Sequence, residues 1–221
     1  KRYIDHNARV LIIDHSVTYV DHKFLISSLS QYAEKINGTI LIFAPYFDDT
    51  ISRQIGLAVQ NMANAKLVPN IALVQVPVTT SLQKKSLKDL SVLTAASIFD
   101  TTKVKIFNTM VYNATHEEKM DESIYDMDPE KYEYPEEVIS KSLGTAKTIE
   151  FSEMEGFIRD YEDIVSPTQY NGILDEAKKE YETAREKANR VMNGTMDKDY
   201  LDAHMRYIKL LGKTGVIKVG G

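Results

Sequence analysis

Residues 210–221 read LLGKTGVIKVGG, and they close two charged helical patterns, the first from Ile173 to Val191 and the second ending at Leu211. In the first, Ile173, Ala177, Tyr181, Ala184, Ala188 and Val191 recur at steps of four and three, the spacing that lines one face of a helix. Asn193-Gly194 supplies a stop, and Leu201, Met205, Ile208 and Leu211 form a second stripe. Two stripes joined by a short polar turn predict an antiparallel helical hairpin over about 173–211, emptying into a Val/Ile strand and a double glycine. Such stripes are the ordinary signature of helix packing, so they inform on fold and not on binding.

The residues before the hairpin predict an α/β layer. Val10 to Ile13 is a continuous run of Val, Leu and Ile, the mark of a strand buried on both faces. Asp21 stands where an N-cap belongs, and Leu25, Ile26, Leu29, Tyr32, Ala33 and Ile36 follow at helical spacing up to the Asn37-Gly38 stop. A second buried strand is expected at Ile40 to Ala44, followed by a helix capped by Asp48 or Asp49 and carrying Ile51, Ile55, Leu57, Val59 and Met62. Ile71 to Val76 gives a third strand. Residues 82–94, with Leu82, Leu87, Leu90 and Leu93 inward, give a third helix, and Ser97 to Phe99 begins a fourth strand. From Asp100 to about Glu137 the periodicity fails, with Pro129 and Pro135 as breakers and acidic residues from Glu117 to Glu130. This stretch is expected to be an acidic, Tyr-containing insertion, a solvated loop in the first instance. A partner-contacting arm using Tyr112, Tyr125, Tyr132 and Tyr134 is the alternative.

Composition narrows the function classes. The chain has 221 residues, 43% of them apolar, enough for a substantial core. Net charge is −5 with both signs interspersed, which argues against nucleic-acid and anionic-membrane partners. The absence of cysteine removes disulfide and thiolate chemistry. Together with a charged start in place of a signal peptide and no apolar run of membrane-spanning length, it gives a cytoplasmic expectation. Sequons at Asn37, Asn113 and Asn193 are then chance matches.

Catalytic patterns are missing. Gly212-Lys213-Thr214 imitates the end of a P-loop, but where that motif needs an upstream glycine the sequence has helical Tyr207 and Ile208. His6, His15, His22, His116 and His204 form no H-x-x-x-H or HExxH arrangement, and three of them simply follow Asp5, Asp14 and Asp21, so no metal site is expected. A G-x-S-x-G elbow is absent. Glu182 and Glu186, beside Arg185 and Lys187, read as a solvated helix face.

Several separated segments line up in order with one family. These are the strand at Val10 to Ile13, the strand at Ile40 to Ala44 with its helix, the Gln75-Val76-Pro77 strand end, residues 87–99 (LKDLSVLTAASIF), Ser142 to Ile149 (SLGTAKTI), and residues 206–220. Together they resemble the apical domain of a group I chaperonin, the GroEL family. The resemblance implies a single apical, polypeptide-binding domain over 1–221. It further implies a parent that is an ATP-driven, Mg-dependent homo-oligomeric ring, and partners that are unfolded or partly folded polypeptides and a co-chaperonin. The chain departs from the family at residues 78–83, where a Gly-Phe-Gly-Asp-Arg-Arg run is replaced by Val78, Thr79, Thr80, Ser81, Leu82 and Gln83. A shortened loop between Ile4 and Ala8 and the insertion are further departures, and divergence of this depth resembles a phage-encoded chaperonin.

In that family two parallel amphipathic helices present an apolar groove that captures exposed hydrophobic segments. The resemblance carries this role to Tyr3, to Ser27 and Ser30 on the first helix, and to Ser52, Gly56 and Leu57 on the second, with Gly212 as a hinge. Four of these positions hold serine or glycine where the family has aliphatic side chains, each contributing roughly 1.5–3 kcal/mol when fully buried, so the groove is expected to be polar. Phe24, Leu25 and Ile26 share the inward stripe and are expected in the core. The chain itself is expected to be monomeric, to need no cofactor and to have no ATPase activity. The competing class is a stand-alone α/β binding module or small-ligand enzyme unrelated to chaperonins.

Overall fold

The computed structural model describes residues 3–65, 70–76, 81–117, 127–151, 155–190, 198–212 and 215–218, and every structural statement below concerns these residues. The elements run β1 (Tyr3–Ile13), α1 (Tyr19–Ile36), β2 (Ile40–Ala44), α2 (Asp49–Asn64), β3 (Ile71–Gln75), α3 (Ser81–Thr94), β4 (Ile98–Phe99), α4 (Thr101–Glu117), α5 (Glu136–Ser142), β5 (Gly144–Phe151), β6 (Glu155–Arg159), α6 (Pro167–Arg190), α7 (Lys198–Leu211) and β7 (Gly215–Lys218). The expected order of strands and helices through β4 is observed, as are the C-terminal helix pair and the closing strand.

The strands form one sheet, ordered β3-β2-β1-β5-β6-β7, with β4 also on β1. β2, β3 and β4 run parallel to their neighbours, while β5, β6 and β7 extend the sheet antiparallel. The continuous apolar runs of β1 and β2 follow from this position, because both faces are covered. Val10 and Ile12 of β1 join Leu41 and Phe43 of β2 in one core with Leu87, Leu90 and Leu93 of α3 and with Ile173 and Ala177 of α6. Leu11 and Ile13 join Ile40 and Ile42 on the other face, under Phe24, Leu25 and Leu29 of α1, Ile51 of α2 and Phe107 of α4. Thus α1, α2 and α4 cover one face, and α3 with the hairpin covers the other.

Local chemistry sets the helix ends. Thr18, not Asp21, is the N-cap of α1, its Oγ1 accepting from the Asp21 N–H, so Asp21 sits in the first turn, where its charge suits the helix dipole. Asn37 ends the helix at φ 49°, with its N–H turned back to Ala33 O and Glu34 O. Asp48 caps α2 by accepting from the Ile51 N–H at 2.8 Å.

Two expectations need correction. The stretch from Asp100 to Glu137 does not open as a solvated loop, since α4 occupies Thr101–Glu117 and buries Val104, Phe107 and Val111 against α1. Beyond it Met127 and Tyr134 are buried; Tyr134 stacks on Phe107 with ring centres 3.8 Å apart, and its N–H donates to buried Ser28 Oγ at 2.9 Å. Burial removes Tyr134 from any partner-contacting arm and half-buried Tyr132 packs edge-on against Phe24, while Tyr112 is exposed. Tyr125 and the acidic residues 118–126 lie outside the described residues, as do the Asn193-Gly194 turn and residues 77–80. The second correction concerns α7. Leu201, Met205, Ile208 and Leu211, expected to pack the hairpin, are all exposed, and α7 instead buries Ala203 and Leu210.

Gly144 begins β5 where the chain crosses the end of α3. A Cβ there would lie 2.3 Å from Thr94 O and 2.5 Å from Ala96 N, both backbone atoms that have nowhere to go. Gly172, within α6, has nothing within 4 Å of the same position. We expect Gly144→Ala to destabilise by about 1–3 kcal/mol or more, and Gly172→Ala to stabilise by about 0.5–1 kcal/mol, both read from denaturant midpoints. Equal midpoints for the two variants would contradict the close approach.

Candidate functional site

Because β1, β2 and β3 are parallel, α1 and α2 both return antiparallel to them and run alongside each other on one face of the sheet. Between them lies a cleft of about 150 Å³ lined by Tyr19, Lys23, Ile26 and Ser27 of α1, Ile51 and Gln54 of α2, and Pro129. Its floor is anchored by the inward residues of both helices: Phe24, Leu25 and Leu29 on α1 and Ile51 on α2 are fully buried or nearly so. Its rim is mixed. Ile26 and Ser27 are half-buried, Gln54 is exposed, and the Lys23 stem is buried with its ammonium donating to Met127 O. The cleft carries no paired carboxylates or nucleophile–base pair, and no cluster of three or more His, Cys, Asp or Glu able to hold a metal occurs among the described residues.

The residues singled out from sequence fall in three places. Ser27 lines the cleft, and Ser30 lies one turn further along α1, half-buried. Ser52, Gly56 and Leu57 are exposed on α2, Leu57 at 55%. Tyr3 pairs through its backbone with Phe151 in β1 and β5, and its side chain lies outside the described residues. Gly212 directly follows α7, and its N–H donates to Ile208 O at 2.9 Å. Its φ is not left-handed, and a Cβ there would stand at an ordinary 3.4 Å from Ile208 O, so the backbone itself does not demand glycine at this point. Sequence reasoning missed Tyr19, Lys23, Gln54 and Pro129. The polar ones carry no apolar signal, and Pro129 belongs to the stretch expected to be an insertion.

No family model matches the sequence, and no curated protein matches it. Among solved structures the chain is similar to the chaperonin gp146 from bacteriophage EL 2 (Pseudomonas aeruginosa), crystallised in the presence of ATP-BeFx. In one crystal form the match has a TM-score of 0.51 at 16% identity over 100% of this chain and 35% of that one. In a second form the TM-score is 0.51 at 13% identity over 98% and 33%. The fold is that of a chaperonin segment. The chain spans about a third of the length of those chaperonin chains. No helix among the described residues is long and apolar enough to cross a membrane.

The loops leading into both cleft helices are tied together at one end. Val17 N–H donates to Tyr46 O at 2.8 Å, Asp48 N–H to Val17 O at 3.0 Å, and Tyr19 N–H to the Asp48 carboxylate at 2.6 Å. Beneath this knot sits His22, 1% exposed. Burial, reinforced by neighbouring His15, depresses its pKa to about 4, against the pull of the Thr18 backbone and of Asp21 and Asp48. A histidine with an ordinary pKa near 6.5 when unfolded then takes up its proton mainly on unfolding, so stability is full above that value and falls as pH drops toward 4. We expect the melting temperature to fall between pH 6.5 and 4.5 by more in the unsubstituted protein than in His22→Gln. Parallel pH profiles for the two would show that His22 is not held neutral.

Proposed function

We propose that this chain is the polypeptide-binding, apical part of a phage-type chaperonin, taking hold of exposed hydrophobic segments of non-native proteins in the cleft between α1 and α2. The observation that carries the reading is the pairing itself: two parallel helices, set side by side on one sheet face of a chaperonin fold, with a partly apolar cleft between them. Capture of unfolded chains needs apolar surface offered without directional chemistry, and half-buried Ile26 and exposed Leu57 supply it. Ser27, Ser30, Ser52 and Gly56 dilute that surface, so each client is held by few anchors. ATP and Mg binding, ring assembly, contact with a co-chaperonin and the cytoplasmic setting belong in this reading to the complete protein, with Gly212 as the pivot between this part and the rest. The chain alone is then a monomer without nucleotide turnover.

The test is binding of a fluorescently labelled, chemically denatured model protein, with its native form as control. The denatured form should bind and the native form should not. Ser27→Leu with Ser30→Leu should tighten binding about 3- to 10-fold, since two partly buried leucines add a fraction of the roughly 1.5–3 kcal/mol each contributes on full burial. Leu57→Ser should loosen it. Unchanged affinity at unchanged melting temperature in the double variant would place the capture surface elsewhere. A stability loss of roughly 1–3 kcal/mol per site without gain in affinity would make the serines part of the packed core. ATP turnover above background by the chain alone would contradict the division of labour.

A further inference from the structure

The knot at the head of α1 contains a histidine pair that polypeptide capture does not use. His15, in the loop after β1, and His22, in the first turns of α1, face each other with Nε2 atoms 3.0 Å apart and ring centres 5.1 Å apart. Each ring's other nitrogen is held from behind. His15 Nδ1 stands 3.0 Å from the Asp14 carboxylate, and His22 Nδ1 lies 3.1 Å from Thr18 O and 3.2 Å from the Thr18 N–H.

In the metal-free state these contacts make one consistent neutral chain. Thr18 N–H donates to His22 Nδ1, His22 Nε2–H donates to His15 Nε2, and His15 Nδ1–H donates to Asp14. Thr18 O offers an alternative. If the His22 proton moves from Nε2 to Nδ1, where Thr18 O accepts it, both Nε2 lone pairs converge on the space between the rings. Carboxylate or backbone carbonyl behind each imidazole is the arrangement that fixes the tautomer of metal-bound histidines and raises their basicity. The spacing agrees with it. With metal–nitrogen bonds of about 2.0–2.1 Å, two imidazoles on a tetrahedral ion have nitrogens about 3.3 Å and ring centres about 5.2 Å apart. The observed separations need only a slight tilt of the ring tips.

We propose that His15 and His22 form a two-histidine site for a divalent transition-metal ion of zinc-like preference, oriented by Asp14 and by the Thr18 carbonyl. Imidazole nitrogens favour zinc-like ions over Mg²⁺ or Ca²⁺, which take oxygen. The flanking carboxylates of Asp21 and Asp48 are engaged, Asp21 by the Thr18 hydroxyl and Asp48 by the Tyr19 and Ile51 N–H groups. No third His, Cys, Asp or Glu completes a cluster among the described residues, so water fills the remaining positions and affinity is moderate. The His15 side chain is 18% exposed, which leaves a path for the ion. A bound ion would fasten the loop after β1 to α1 at one end of the cleft. The sequence hid the pair because its seven-residue separation matches no metal motif; a turn brings the two rings together.

Zinc chloride titrated at pH 7.5, followed by calorimetry and thermal unfolding, tests this, with magnesium chloride as control and cobalt chloride for the visible absorption of a nitrogen-bound ion. We expect one saturable zinc per chain, a raised melting temperature and no response to magnesium. Because His22 is buried, the deciding variant is His15→Gln, which should bind zinc at least tenfold more weakly, with Asp14→Asn weaker by about tenfold through lost orientation of the ring. Equal zinc affinity in the unsubstituted protein and in His15→Gln, or the absence of one-to-one saturation in the unsubstituted protein, would overturn the proposal.

Discussion

One edge of β1 carries two strands in succession, β5 antiparallel along Tyr3 to Val10 and β4 parallel along Ile12 and Ile13. The chain leading into β5 must therefore pass directly against the turn that ends α3, and Gly144 passes so closely that no side chain fits. This handover joins a parallel α/β half, whose helices return on both faces, to an antiparallel extension that ends in β7. It also separates the molecule's two surfaces. The face of α1 and α2 carries the cleft, and the opposite face receives α3, α6 and α7.

On the hairpin face α6 packs through Ile173 and Ala177, and charge joins apolar contact in holding α7. Arg206 of α7 reaches Asp89 of α3 through two bonds of 2.7 Å and Glu180 of α6 through one of 2.6 Å; Lys85 also bonds Glu180, and Lys88 meets Glu176 at 3.0 Å. Burial pushes the Asp89 carboxyl up against the opposing pull of Arg206, and Asp89 with Glu180 more than offsets the burial that works against the Arg206 charge. A buried pair of this kind adds little net stability over a well-packed apolar substitute, yet losing one partner leaves a charge stranded. It turns the same face of α7 toward α3 and α6 as buried Ala203 and Leu210 do. With that face inward, Leu201, Met205, Ile208 and Leu211 face outward although their spacing alone suggests the reverse.

Much of the fold was legible because burial on both faces leaves an unbroken apolar run, as at Val10 to Ile13 and Ile40 to Ala44, and because Asn37-Gly38 is an unambiguous helix stop. The failures share a cause. Among its described side chains α4 buries Val104, Phe107 and Val111 and leaves Ile106 and Met110 exposed, so these apolar residues fall on two faces and no single period emerges. In α7 half-buried Arg206 finds carboxylate partners while the aliphatic stripe is exposed, and sequence periodicity cannot register which face finds a partner. The candidate cleft was legible through its two helices and Ser27. Pro129 and Lys23 escaped because they arrive by tertiary contact, one through the segment after α4 and the other through Met127 O.

The polarity of the cleft has a physical explanation in the same division between inner and outer faces. Along α1, Phe24, Leu25, Leu29 and Ala33 are held by the core, and Ser28 is held too, since its hydroxyl donates to Phe24 O at 2.8 Å and accepts from the Tyr134 N–H. Ser27 and Ser30 flank these fixed positions without being bound into them, and Ser52, Gly56 and Leu57 stand free of the core on α2. A helix whose inner face is fully specified leaves only its outer face to vary, and there a serine in place of an aliphatic residue costs the fold almost nothing. The positions that line and flank the cleft are thus among those that stability constrains least, and substitutions there are free to change its polarity without disturbing the sheet beneath.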